Sequence, residues 1–287
     1  MRQSGAARIV RAVAVTAIVV WSLAPVALGV VTSFSTQTDV QAVPARWLPH
    51  HVTLDAFHSL LGGTGRAAAA GGSVSESGTF AKAMFNSASI TLLSTVAILC
   101  VAISAGYGFS RLRFPGRGIL FWGIVATIIV PVFTVVIALF RLMAGAQLID
   151  HKLGVVLVFV STQTPLAMWL FHNHIKELPA EPEEAALIDG CTRFQAFWRV
   201  VLPQMTSGIA ALSAILMLAV WGEFLIPLLL TSTMNSKPVT ALIPEYVGKY
   251  TTNYPLLAAA GVLALLPPAI VALVLNRHIR GMLSGSS

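Results

Sequence analysis

Charge is what this sequence has least of. Only 10% of its 287 residues are Asp, Glu, Lys or Arg, against 56% hydrophobic. A soluble domain carries about 25% charged residues, so this chain lacks the polar surface to be soluble alone. Acids are scarcer than bases: 11 Asp and Glu stand against 18 Lys and Arg, for a net charge of +7. In a soluble protein that excess would point to nucleic acid. Here the bases sit beside apolar runs, which is the pattern of membrane topology. Cysteine is nearly absent. Cys100 lies in an apolar run and Cys191 in a polar segment, so no disulfide between them is expected and compartment is not indicated. A GxxxxGK[ST] phosphate loop is missing too. None of the five lysines is followed by Ser or Thr, the pair that would hold phosphates and magnesium.

What the chain does have is six long, nearly uncharged runs: 12–34, 83–109, 118–140, 153–171, 205–231 and 250–276. Each meets the ~20 residues a helix needs to cross ~30 Å of hydrocarbon. Lipid offers backbone groups no water, so the runs are expected to be helices rather than strands. The expected fold is an all-α integral membrane protein, one transmembrane domain over 1–287. The first run is too long for a signal peptide and lacks a small-residue cleavage site, so it reads as an uncleaved anchor. With both termini cytoplasmic, eleven basic residues fall inside and seven outside, although the outer segments are longer. The short inner loop SRLRFPGRG (110–118) is the most basic. The positive-inside rule favours this orientation.

The large outer segment, 35–82, begins with Trp47, Pro49 and Phe57 among polar residues, a composition suited to the outer membrane surface. Residues 62–79, GGTGRAAAAGGSVSESGT, form a Gly-, Ala- and Ser-rich insert expected to be flexible. Pro131, Pro227, Pro267 and Pro268 fall inside or near the ends of spans, where neighbours can satisfy the carbonyls they free.

One polar stretch interrupts the apolar pattern: EAALIDGCTRFQAFWRVVLP, residues 184–203. It lies within an inner loop, 176–204. Pro179 suits a first helical turn. Glu181, Glu183 and Glu184 then crowd an amino end, where a helix dipole favours negative charge. Gly190 fits the left-handed position just past a helix end. Thr192 with Gln195 three residues later is a capping-box start. Phe194, Phe197, Trp198 and Val201 recur at helical spacing as one apolar face, and Pro203 closes the unit. The stretch reads as two short helices joined at a glycine, the first about ten residues long, roughly 15 Å. Two alanines, Ala185 and Ala186, are small enough for a partner to approach closely. A DNA-reading helix–turn–helix is disfavoured, because its second helix would need basic residues for phosphates and this one is aromatic and tied to the bilayer. A re-entrant structural hairpin is the alternative on spacing alone.

The residues carry a family resemblance. Glu184-Ala185-Ala186, Gly190, and Val200 with Leu202-Pro203 match the EAA motif of binding-protein-dependent ABC importer permeases, with nine residues between Gly190 and Val200. LPAEPEEAALIDGCTRFQAFWRVVLP is similar to the carbohydrate-uptake subfamily. Asn86-Ser87, YGFSRLRFPGR (107–117) and WGEFLIPL (221–228) extend the likeness over most of the chain after about residue 80. Pro182, Cys191 and Gly222 depart from the usual pattern. The resemblance implies a type I importer permease fold and half of a transmembrane pore for a sugar or related solute. Its partners would be a second homologous permease, two ATPase subunits and an extracellular substrate-binding protein. It implies coupling to the ATPase through Glu184, Ala185, Ala186, Asp189, Gly190, Leu202 and Pro203. No cofactor is expected in this chain, ATP and magnesium being bound by the ATPase, and no enzymatic activity. The implied location is the bacterial inner or plasma membrane.

Glu223 is an acid inside the fifth run, and intramembrane acids are functional candidates. It lies ~27 Å along a helix from Met205, towards the outer interface. It reads either as a substrate-path or gate residue or as a helix-end or subunit contact. His172 and His174, two apart on a helix, diverge and do not chelate a metal together. A secondary transporter or channel, independent of ATP, is the alternative function. That class normally carries several intramembrane ionisable groups.

Overall fold

The computed structural model describes residues 5–44, 47–62, 76–247 and 252–283. Among them there is no β-strand, only an isolated antiparallel bridge between Val247 and Thr252. The expected all-α class holds. Most of the Gly-, Ala- and Ser-rich insert, from residue 63 to 75, lies outside the described residues.

Four helices are each long and apolar enough to cross a membrane: Val10–Ser33, Gly78–Arg111, Lys152–Glu177 and Tyr254–Val274. Two further pairs qualify only as bent units, Arg117–Ile129 with Val132–Gly145, and Arg193–Gln204 with Thr206–Gly222. The single domain expected from the sequence divides into two compact units.

The first unit comprises 1–82 with 242–266. Its α1 (Gly5–Ser33) is exposed along nearly all of its apolar surface from Val10 to Val30, with Trp21 84% exposed. A helix that is hydrophobic all round and uncovered is built for lipid or for another apolar helix. After it, α2 (Gln37–Val40) is capped by Thr36, whose hydroxyl accepts from Asp39 N. Then α3 (Asp55–Leu61) brings Phe57 against Phe34, with ring centroids 5.1 Å apart. Gln37 bonds Thr252 O at 2.7 Å and Tyr254 N at 3.1 Å. The outer segment expected at 35–82 is thus partly helical.

The second unit comprises 83–241 with 267–287. Most of α4 (Glu76–Arg111) belongs to it. At 36 residues the helix is about 54 Å long, well beyond the hydrocarbon thickness. Next come α5 (Arg117–Ala126), a 3₁₀ turn at Thr127–Ile129, α6 (Val132–Gly145) and α7 (Lys152–Glu177). The continuous third span expected at 118–140 is not observed: the chain turns by 103° between its halves. Pro131 explains the break. It has no N–H to give a helix, and it holds Val130 in an extended conformation. The centre of the unit is α7, which buries Val155, Val158, Phe159, Met168, Phe171 and Ile175. At Gly106 the backbone of α4 comes so close to α7 that a β-carbon would stand 2.9 Å from Phe171 Cβ.

The inner loop holds α8 (Glu181–Ile188) and α9 (Arg193–Ala196), a π-helical turn at Phe197–Val201, and α10 (Leu202–Gln204). The chain then bends by 74° into α11 (Thr206–Gly222). The fifth span expected to run to 231 stops at Gly222 and resumes as the short α12 (Leu225–Leu230). A short α13 (Val239–Leu242) and a 3₁₀ turn at Ile243–Tyr246 lead towards the final helix, α14 (Tyr254–Leu283).

Candidate functional site: the inner-loop cassette

The first cassette helix begins at Glu181, two residues later than Pro179 had indicated, and Pro182 occupies its first turn. Pro182 is tolerated there because first-turn amides have no intrahelical acceptor. Glu181, Glu183 and Glu184 all fall in that turn, as the dipole favours. At eight residues the helix is about 12 Å long, not 15 Å. Its end is a full Schellman closure: Cys191 N donates to Ala186 O at 3.0 Å and Gly190 N to Leu187 O at 3.2 Å. Gly190 has φ +90°, the left-handed geometry its type predicts. No atom lies within 4 Å of where its β-carbon would sit, so the demand for glycine comes from the dihedral alone. The capping box forms in both directions, Gln195 N to Thr192 Oγ1 at 3.2 Å and Thr192 N to Gln195 Oε1 at 2.9 Å.

The aromatic face read from the sequence is split. Phe197 and Val201 are buried, whereas Phe194 is 72% and Trp198 53% exposed. The π turn at Phe197–Val201 changes the angular step between these positions, so regular helical spacing no longer holds. Ile188, 86% exposed, is on the surface as well. Glu184, Ala185, Asp189, Gly190 and Pro203 are exposed, and Ala186 and Leu202 are half-buried.

The residue that anchors the cassette had no marker in the local pattern. Glu183 is 5% exposed. Its Oε1 accepts from the Tyr107 hydroxyl at 2.7 Å, and its Oε2 lies 3.0 Å from Arg111 Nε. Arg111 also donates to Leu178 O at 3.1 Å, and the Tyr107 ring packs on Phe197 with centroids 4.7 Å apart. The end of α4 therefore grips both cassette helices, α8 by charge and the second by ring contact. The only advance signal was the YGFSRLR run itself, which puts Tyr107 and Arg111 four apart on one helical face.

Glu223 is not inside a helix. It follows the last residue of α11 in an extended conformation, φ −72° and ψ 133°. Its Oε2 accepts from Ile226 N at 3.0 Å, and its carbonyl accepts from Thr240 Oγ1 at 3.0 Å. A carboxylate at an exposed helix start satisfies free N–H groups and complements the dipole.

At the opposite end of this unit, Asn86 Nδ2 donates to Met234 O and Lys237 O, both at 3.0 Å, and Val239 N donates to Ser87 Oγ at 2.8 Å. Asp150 holds the same 232–236 loop through Ser232 N, Thr233 N and the Thr233 and Ser236 hydroxyls. Burial alone would raise the Asp150 pKa, but bonds from the side chain and backbone of Thr233, from Ser236 and from Ser232 outweigh it. Its carboxyl is held down at about 2. His172 is buried beside Ser110 Oγ, 3.0 Å from Nδ1, and against the Phe121 ring at 4.3 Å.

Residues 97–282 match the family described as "Binding-protein-dependent transport system inner membrane component". The chain belongs to that family. It is a permease subunit of an ABC importer and a membrane component. It is 33% identical to the osmoprotective compounds uptake permease protein GgtD of Synechocystis over 75% of this chain and 73% of that protein. It is 31% identical to the arabinooligosaccharides transport system permease protein AraQ of Bacillus subtilis, over 71% of this chain and 72% of the other. Among solved structures, a chain of a bacterial ABC transporter involved in the import of the acidic polysaccharide alginate aligns with a TM-score of 0.80. It covers 96% of this permease and 99% of that chain at 19% identity, a likeness of fold.

Proposed function

We propose that this permease forms half of a pore for a sugar or related solute, with a second homologous permease as the other half. Two ATPase subunits drive it, binding the ATP and magnesium, and an extracellular binding protein delivers the solute. The permease itself carries out no chemistry. The carbohydrate-like form of the EAA stretch and the arabinooligosaccharide relative support the solute class. Both termini are cytoplasmic in this reading, which places the cassette beside the ATPase.

The observation that carries the coupling role is the anchored cassette. Glu183 fixes α8 from below. This leaves Glu184, Ala185 and Asp189 on the surface beside exposed Ile188, Phe194 and Trp198. Apolar side chains rimmed by polar groups mark a protein contact. Ala186, Gly190, Leu202 and Pro203 shape the same surface: Gly190 sets the turn, and Leu202-Pro203 lie in the last helical turn ahead of the bend. Glu223 braces the break in the fifth span next to the solute path and is not a proton carrier.

Cysteine pairs placed at Ala186 and along the groove of the partner ATPase test the coupling role. Crosslinking in membranes is the expected result. Labelling of the Ala186 cysteine only by extracellular reagents would overturn both the orientation and the function.

A further inference from the structure

We propose that the cavity between the start of α5 and the end of α7 binds the phosphodiester headgroup of an anionic phospholipid. The cavity has a volume of about 200 Å³ and is lined by Arg117, Lys176, Asn173, Trp122, Trp169 and Phe121, among others. Two cations converge there, and no carboxylate lines the wall. Among the described residues neither cation forms an ion pair; Arg117 uses Nη1 on Leu112 O at 2.9 Å. The adjoining cleft, about 810 Å³, shares Arg117 with it and adds Arg111, Arg113 and Arg193, but Glu183 and Glu184 sit among them. The smaller cavity is the one whose own wall carries two cations and no acid.

Its other walls fit lipid rather than a free anion. Indole rings favour the level of the headgroups, and Trp122 is 64% exposed at the mouth of the cavity. On the same helix Ile119 is 85% and Leu120 53% exposed, an apolar surface for acyl chains. The Asn173 amide and the two cations can donate to phosphate oxygens. A choline headgroup would bring its own cation against Arg117 and Lys176 with no acid to receive it, so the site selects net negative charge. Basic pockets between membrane helices hold anionic headgroups in this way. Lys176 is the penultimate residue of α7, so a lipid held there sits where the chain leaves the bilayer for the cassette.

The test uses the full chain, purified and delipidated in neutral detergent, with bound lipid counted by native mass spectrometry. Phosphatidylglycerol is expected to be retained roughly thirtyfold more tightly than phosphatidylcholine of the same chain length, at ~1 kcal/mol for each of the two basic residues. The Arg117→Gln, Lys176→Gln double variant should lose that preference, and Arg113→Gln should keep it. Trp122→Ala, a milder change, should weaken retention of phosphatidylglycerol. Equal retention of both lipids by the unaltered chain would overturn the proposal, whatever the variants do. So would an undiminished preference in a folded double variant. Displacement of the lipid by millimolar inorganic phosphate would identify a soluble-anion site instead of a lipid site.

Discussion

Two neighbouring glutamates in the cassette have opposite surroundings. Glu183 is buried between Tyr107 and Arg111, while Glu184 is exposed. Removing one partner of a buried ion pair leaves the other charge uncompensated, at about 3–5 kcal/mol in other proteins. The partial exposure of Arg111, 18%, puts the expectation for Glu183→Ala below that range, about 2–3 kcal/mol. Glu184→Ala should leave thermal unfolding of the purified chain nearly unchanged but lower ATP-driven uptake by the assembled importer. Equal melting temperatures for the two variants would show that the Tyr107–Glu183–Arg111 contact does not anchor the loop. Composition and spacing marked both acids as first-turn residues, but nothing local separated them. The partners that do so are 76 positions away in the case of Tyr107.

Elements whose form depends on a few adjacent residues were legible in advance. The Gly190 turn and the Thr192–Gln195 capping box follow local rules and are present. The 103° turn at Pro131 was legible only as a weak point, since the angle depends on what the two halves pack against. The π turn that separates Phe197 from Trp198 and the halt of α11 at Gly222 have no sequence signature of comparable strength. Gly190 supports a sharp expectation at this scale. A β-carbon there meets no atom, so Gly190→Ala should cost only the dihedral term, about 1–2 kcal/mol. Asn tolerates the left-handed region better than Ala, so Gly190→Asn should retain more uptake than Gly190→Ala at equal membrane insertion. If Ala performs as well as Gly, the left-handed turn is not what orients the second helix.

For the molecule as a whole, the choice lies between a pore driven from outside the chain and a carrier driven by an ion gradient. A carrier needs an ionisable group reachable from both membrane faces. Glu223 instead accepts from the Ile226 amide at a helix break. Uptake by the reconstituted importer should therefore persist when a protonophore collapses the proton gradient, provided ATP is present. Glu223→Gln, which can still accept that bond, should retain at least about a fifth of it, the change in bond strength being ~1 kcal/mol or less. Uptake that follows the proton gradient and disappears in Glu223→Gln would replace the importer reading with that of a secondary transporter.

The grip of Tyr107 and Arg111 on the cassette also limits how permeases of this kind can be recombined. A graft of residues 179–204 into another permease carries the surface that faces outward but leaves behind the phenol and guanidinium beneath it. Glu183 would then be buried against whatever the host supplies, and Phe197 would lose its ring partner. The smallest transplantable unit is discontinuous: the loop together with the last turns of α4. Chimaeras that exchange only the contiguous stretch should be unstable in the host even when their docking residues suit the new ATPase.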